Sequence, residues 1–464
     1  MTVEEGSILK LVTGRRVVAL FWIGSIISLV ALASQDSPGW DTDVYWAAIK
    51  SVSRGGNPYA EGIAVQKVFH DQKNKDPHAH PPMTYVYSPI TLPVLNILGK
   101  LPAWLLGTSY YCALIVGFAL QMWAVWKMAT VHERRWLPFL LPAAAYFPGF
   151  LNDDVILSGN IVYLLYGLVL AAAIPGWKRN QWGWYYLAVL AASICKAPLL
   201  TLLAFPAILG RRQWVASGAV GAAGLALFFV QARLWPTLFA QYMQAVQLQF
   251  DWNADFGFGP AGVLGLALQN AGMSYTIASE AIYVGFAIAM ASVLFWLSRV
   301  LQANDALRDA AVPLILVGTV LLNPRVKEYD VAAITIPMAL IIARFLQSGS
   351  EVLRELQDRR KVHLAHQLGS KPRSELAERP RIDWRDVPTI VGVGGWFLII
   401  NLGATDGPWK PIELALLVFV FAIGTWVLIH QARELRQEVP ASDSISAEIN
   451  LDFGLDPRRL KTGV

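Results

Sequence analysis

The stretch VVALFWIGSIISLVALAS, residues 17 to 34, is followed at residues 40 to 62 by WDTDVYWAAIKSVSRGGNPYAEG. The first stretch is uncharged and of near-spanning length, so it reads as a helix crossing a bilayer. The second sets two aspartates, Asp41 and Asp43, where the chain has just left that bilayer. Composition says the first stretch has many companions: 55% of the 464 residues are hydrophobic, 15% are charged, and 18 are tryptophan. Mean hydropathy is +0.43. These values exclude a soluble domain of ordinary make-up and imply an all-α, polytopic integral membrane protein.

The formal charge of +5 is small and no basic tract is interleaved with aromatics, so no nucleic-acid partner is expected. Cys112 and Cys195 lie inside apolar runs, which argues against a disulfide framework. Arg15 and Arg16 precede the first run and no small-residue cleavage site follows it, so it reads as a retained signal anchor.

Apolar runs occur at 17 to 34, 108 to 127, 136 to 151, 159 to 176, 182 to 196, 197 to 210, 213 to 231, 277 to 298, 309 to 323, 329 to 346, 388 to 404 and 411 to 430. Several are shorter than about 20 residues, the signature of crossings that end at a protein-lined cavity. Basic residues mark the cytoplasmic side of short loops. Arg15/Arg16, KMATVHERR, WKRN, Gly210 to Arg212 and Arg299 to Arg308 fall on one side only if the proline-rich stretch 81 to 107 does not cross. That stretch is therefore expected to be re-entrant or interfacial, giving about twelve crossings with both termini cytoplasmic. The expected organisation is a transmembrane domain over 1–346, a cytoplasmic basic loop over 347–387, two further helices over 388–430 and a disordered cytoplasmic tail over 431–464.

This topology collects Asp41, Asn160, Lys196, Arg325, Lys327, Glu328 and Asp330 on the outer side, with Glu280. Ionisable groups at membrane depth are costly and usually face a cavity, so they are functional candidates. At 100° per residue, Val44, Tyr45, Ala48, Ile49 and Val52 share a face with Asp41, while Asp43 lies with Lys50 and Arg54. An amphipathic helix in the first outer loop follows, ended by Gly55-Gly56. Asp41 has two readings on this geometry, helix N-cap or functional group.

The ordered set of D-x-x-V-Y with GGNPYA, PPxxYVYSP, SGNIVYLLYGLVLAAA, AASICKAPLL and LLNPRVKEYDV, from residue 41 to about 340, resembles the polyprenol-phosphate-sugar-dependent glycosyltransferases of the C superfamily, specifically glycosyltransferase family 87. The resemblance implies a fold of that superfamily. It also implies inverting, metal-independent transfer of a hexose, foremost mannose, to a hydroxyl of a lipid-linked or glycan acceptor outside the cytoplasm. Such an enzyme sits in the cell membrane, facing the cell envelope, with membrane lipids around it and no cofactor. By the same resemblance Asp41 is the general base. Lys196 and Arg325, with Lys327 and Asn160, are expected to hold the donor phosphate, because a cation at membrane depth needs a partner and a guanidinium grips two phosphate oxygens; the other reading is that Arg325 and Lys327 pair with Glu328 and Asp330 to fix their turn. The family's Gly-Gln-x-Asn appears as Ser158-Gly159-Asn160 without the Gln, and its Lys-x-x-Pro as the shorter Lys196-Ala197-Pro198. Secondary candidates are Asp43, Tyr45, Asp153, Asp154, Tyr329 and Asp330.

The residue types suit that chemistry: a base takes the acceptor proton and cations hold the departing phosphate. Asp41-Thr42-Asp43 also matches a metal-chelating D-x-D, but helix phase turns the two carboxylates about 200° apart. His70, His78 and His80 offer imidazoles in a lysine-rich segment read as a solvated loop. QFDWNADFGFGPAG, from Gln249, has aromatics suited either to sugar stacking or to an interfacial belt. The rival classes are a transporter or flippase of a lipid-linked sugar and a glycan ligase or polymerase using a lipid pyrophosphate.

Overall fold

The structure, a computed structural model, describes residues 23, 39–73, 83–134, 137, 158–210, 213–251, 257, 259–273, 277–303, 307–323, 326–327, 330, 340–341 and scattered positions over 415–432. Every regular element among these residues is helical. Among the described residues three helices are long and apolar enough to cross a membrane: Ala103–Met128, Gln213–Leu234 and Ile277–Leu301. Their surfaces carry Trp104, Ile115, Val215, Phe229 and Ile288, all largely exposed. Faces this apolar are stable only against lipid, which marks the chain as a membrane protein.

The segment from residue 39 contributes α1 (Trp40–Ser53) and α2 (Pro58–Lys73). Tyr45, Ala48 and Ile49 are buried while Asp43, Lys50 and Arg54 are exposed, so α1 is amphipathic in the expected phase. Gly55, at φ 73°, takes the left-handed turn that ends it. Asn57 Oδ1 then accepts the amides of Tyr59 and Ala60 and starts α2, which runs to Lys73. His70 is thus helical, contrary to the loop expected there, and His78 and His80 lie outside the described residues.

Residues 83 to 88 form no helix or strand and bend at Tyr87, and one tight turn, Pro89–Thr91, leads into the short helix α3 (Leu92–Leu98). Those ten residues, Pro89 to Leu98, would span only about 15 Å as a helix, half of a hydrocarbon core. α4 (Ala103–Met128) begins five residues before the apolar run anticipated at 108, behind Pro102, because a proline at a helix start forfeits no hydrogen bond.

α4 packs on α5 (Val162–Arg179). The Tyr110 hydroxyl donates to Gly159 O just before α5 begins, and Gly117 meets Leu164 and Gly167 further along, so the two helices run parallel. Both end on basic residues, Lys127 and Lys178/Arg179. A Cβ on Gly167 would lie 2.2 Å from Gly117 O, a backbone atom that cannot swing aside. Gly167→Ala is therefore expected to destabilise the protein by about 1–3 kcal/mol, the usual result of overpacking. Gly107→Ala, with nothing near its new methyl, is the control. Equal thermal midpoints in detergent would contradict the close crossing.

α6 (Gly183–Cys195) is followed by a 3-10 stretch, Ala197–Leu203, and α7 (Ala204–Leu209). The Tyr185 hydroxyl donates to Leu202 O at 2.7 Å, and the Trp182 ring meets Phe205 at 5.6 Å. The chain has therefore reversed between them, with Lys196 at the tip. The runs 182 to 196 and 197 to 210 are the two limbs of a hairpin, and the 13 residues of α6 rise only about 20 Å. α8 (Gln213–Leu234) covers this hairpin: the added Cβ of Gly224 would press on Leu200. α9 (Pro236–Asp251) returns to α2, where the Asn57 amide donates to Gln241 Oε1 at 2.6 Å. α10 (Pro260–Asn270), α11 (Ile277–Ala303) and α12 (Arg308–Leu321) complete the body. From Ala311 to Leu321 every residue of α12 is buried, which makes it the central helix.

Candidate active site

The first turn of a helix has N–H groups with no partner inside the helix. In α1 two of them, on Asp41 and Thr42, donate to Ser158 O at 3.0 and 3.2 Å. The cap thus comes from a segment distant in sequence, and Gly39 at the N-cap position supplies no side-chain bond. Asp41 is consequently not the N-cap: it lies inside the first turn, and its Oδ2 accepts Asn160 Nδ2 at 3.1 Å. Asn160 Oδ1 accepts Val162 N at 2.9 Å, which starts α5. Between Ser158 and Asn160 the chain passes through Gly159 at φ 62°, a left-handed turn that suits glycine.

Three phenols lie within reach of this carboxylate's charge: Tyr45 from α1, Tyr87 from the 83–88 segment and Tyr110 from α4. Tyr45 and Tyr87 share a short hydroxyl–hydroxyl hydrogen bond. Burial raises both phenol pKa values well above the usual tyrosine range. The Asp41 charge pushes Tyr87 further in the same direction, and for Tyr45 it adds to the effects of Tyr87 and Tyr110. Both phenols therefore stay protonated at any physiological pH. Asp43 points to solvent, so the two aspartates diverge as helix phase requires.

A second polar cluster forms at the hairpin tip. Lys196 Nζ lies 2.9 Å from both oxygens of Asp330, whose side chain is fully buried, while that of Lys196 is 17% exposed. Asp330 Oδ2 also accepts Lys327 N at 3.0 Å, and Asp330 N donates to Lys327 O at 2.9 Å, a reciprocal pair that shapes the 327–330 turn. The Tyr166 phenol lies beside the same carboxylate. The two clusters are tied together by neighbours in sequence: Tyr87 stands at Asp41, and Ser88 Oγ donates to Ile194 O at 2.8 Å, beside the tip.

Of the residues expected from sequence, Asp41, Asn160 and Tyr45 meet in one cluster and Lys196, Lys327 and Asp330 in the other. Arg325, Tyr329, Asp153 and Asp154 lie outside the described residues, as does Glu328. Glu280 is exposed at the start of α11. Sequence reasoning missed Tyr87, Tyr110 and the Ser158 carbonyl. The alternation of Tyr85 and Tyr87 was the available signal for the first, whereas a backbone carbonyl leaves none. Chemically, the arrangement offers a half-buried carboxylate held by an amide donor near phenols and, in a second cluster, an ammonium already paired with a carboxylate. Among the described residues no group of three or more His, Cys, Asp or Glu side chains comes together. No protein-family model, curated protein or solved structure matches the chain.

Proposed function

We propose that the protein is a membrane glycosyltransferase of the C-superfamily type, with about twelve crossings. It moves a hexose, foremost mannose, from a polyprenyl-phosphate donor to an acceptor hydroxyl on the extracytoplasmic face. The observation that carries this reading is Asp41: a carboxylate half-buried at the start of an outer helix and bonded to Asn160. A carboxylate so placed suits removal of a proton from an incoming hydroxyl.

In the proposed step the acceptor oxygen attacks the anomeric carbon on the face opposite the phosphate. The acceptor proton passes to Asp41, the new carbon–oxygen bond forms, and the bond to phosphate breaks with its electron pair leaving on the phosphate. The transition state has oxocarbenium character, as in other glycosyl transfers. Lys196 and Lys327, with Arg325, are the cations assigned to the departing phosphate. A phosphate reaching Lys196 would share that ammonium with Asp330, which leaves a larger part for Arg325 and its bidentate guanidinium.

The buried Lys196–Asp330 pair is also a feature of transporters that move charge through a membrane. Sealed proteoliposomes loaded with acceptor lipids separate the two readings. The glycosyltransferase gives a covalent sugar–acceptor product from labelled donor, whereas a flippase moves intact donor between leaflets and leaves the sugar–phosphate bond unbroken.

A further inference from the structure

The amide of Asn160, expected from the sequence to reach the donor phosphate, is already engaged at both ends. Its oxygen faces the Val162 N–H, which requires an acceptor, so its nitrogen faces Asp41 and can only donate. The residue is 1% exposed. The turn that carries it is fixed on either side: Ser158 O receives two amides of α1, and Gly159 O receives the Tyr110 hydroxyl. A rigid turn thus delivers a single hydrogen-bond donor to one oxygen of the carboxylate.

We infer that Asn160 is a positioning residue for Asp41: it fixes the orientation of the carboxylate and holds it in the ionised, proton-accepting form. The inference rests on Asp41 being the base of the proposed transfer. The titratable groups near Asp41 are the phenols of Tyr45 on α1, Tyr87 on the 83–88 segment and Tyr110 on α4. Asp43 lies on the opposite, exposed face of α1. Against neutral phenols, an amide N–H directed at the carboxylate favours the charged form over the protonated one.

Two substitutions change that donor in different ways. Asn160→Ala removes it. Asn160→Asp keeps an oxygen for the Val162 amide, so α5 retains its start, but sets a second carboxylate against the first. Two carboxylates in one site resist joint ionisation. The protonation midpoint of Asp41 is therefore expected to rise in both variants, and further in the aspartate variant than in the alanine variant.

The test reads Asp41 directly on the purified full-length protein in detergent. Carbodiimide and an amine nucleophile modify protonated carboxyls across a pH series, and fragment-ion mass spectrometry resolves Asp41 from Asp43. The midpoint should move upward at Asp41 in both variants and stay in place at Asp43. In the transfer assay Asn160→Ala should lower kcat at unchanged donor KM. Unchanged Asp41 midpoints in both variants, or a raised donor KM with kcat intact, would overturn the inference and return Asn160 to the phosphate. If the alanine variant does not fold, the aspartate variant decides alone. Shifted midpoints in a protein that transfers no sugar would leave the coupling standing and remove the glycosyltransferase reading.

Discussion

Asp41→Asn is expected to reduce sugar transfer by a factor of about a hundred to ten thousand, the usual consequence of losing a general base, while the protein still folds. The amide is nearly isosteric with the carboxylate, and the Ser158 cap on α1 is made by backbone atoms that the substitution leaves alone. Asp43→Asn is expected to retain most of the activity, because Asp43 is exposed on the far side of the helix. Initial rates at saturating donor, with monodispersity as the folding control, decide the matter. Equal losses in both variants, restored by manganese, would instead favour a D-x-D metal site.

Lys196→Ala is expected to destabilise the protein by about 3–5 kcal/mol, because breaking a buried pair leaves its partner charged and uncompensated. Asp330, buried completely, would keep the Lys327 amide but lose the ammonium that sits 2.9 Å from both its oxygens. The double variant Lys196→Met with Asp330→Asn removes both charges together and should recover much of that loss in thermal midpoint. It also separates architecture from chemistry. A folded double variant that transfers no sugar supports Lys196 as a phosphate ligand. A folded and active one removes it from the donor site.

How much of this was legible in the sequence depended on the range of the interaction. The phase of α1 follows from a period of 3.6 residues, so the divergence of Asp41 and Asp43 and the end at Gly55 could be read directly. The capping of α1 could not, because Asp41 and Ser158 lie far apart in sequence and a carbonyl acceptor has no side-chain signature. The reversal at Lys196 follows from the charge pattern, which sets WKRN and Gly210 to Arg212 on one side of the runs 182 to 196 and 197 to 210 and Lys196 on the other. What hydropathy leaves out is which residues join the two limbs, namely Tyr185 with Leu202 and Trp182 with Phe205. Lys196 stood out as a charge in an apolar setting. Its pairing with Asp330 was hidden by a separation of 134 residues.

Purified wild-type protein and Asp41→Asn are incubated with polyprenyl-phosphate-[14C]mannose and an envelope lipid extract in the presence of EDTA, with polyprenyl-pyrophosphate-linked sugar as the parallel donor. The account predicts labelled product from the monophosphate donor alone, undiminished by the chelator, with inverted anomeric configuration and none of it formed by Asp41→Asn. Product from the pyrophosphate donor only, or equal product from wild type and Asp41→Asn, would contradict it.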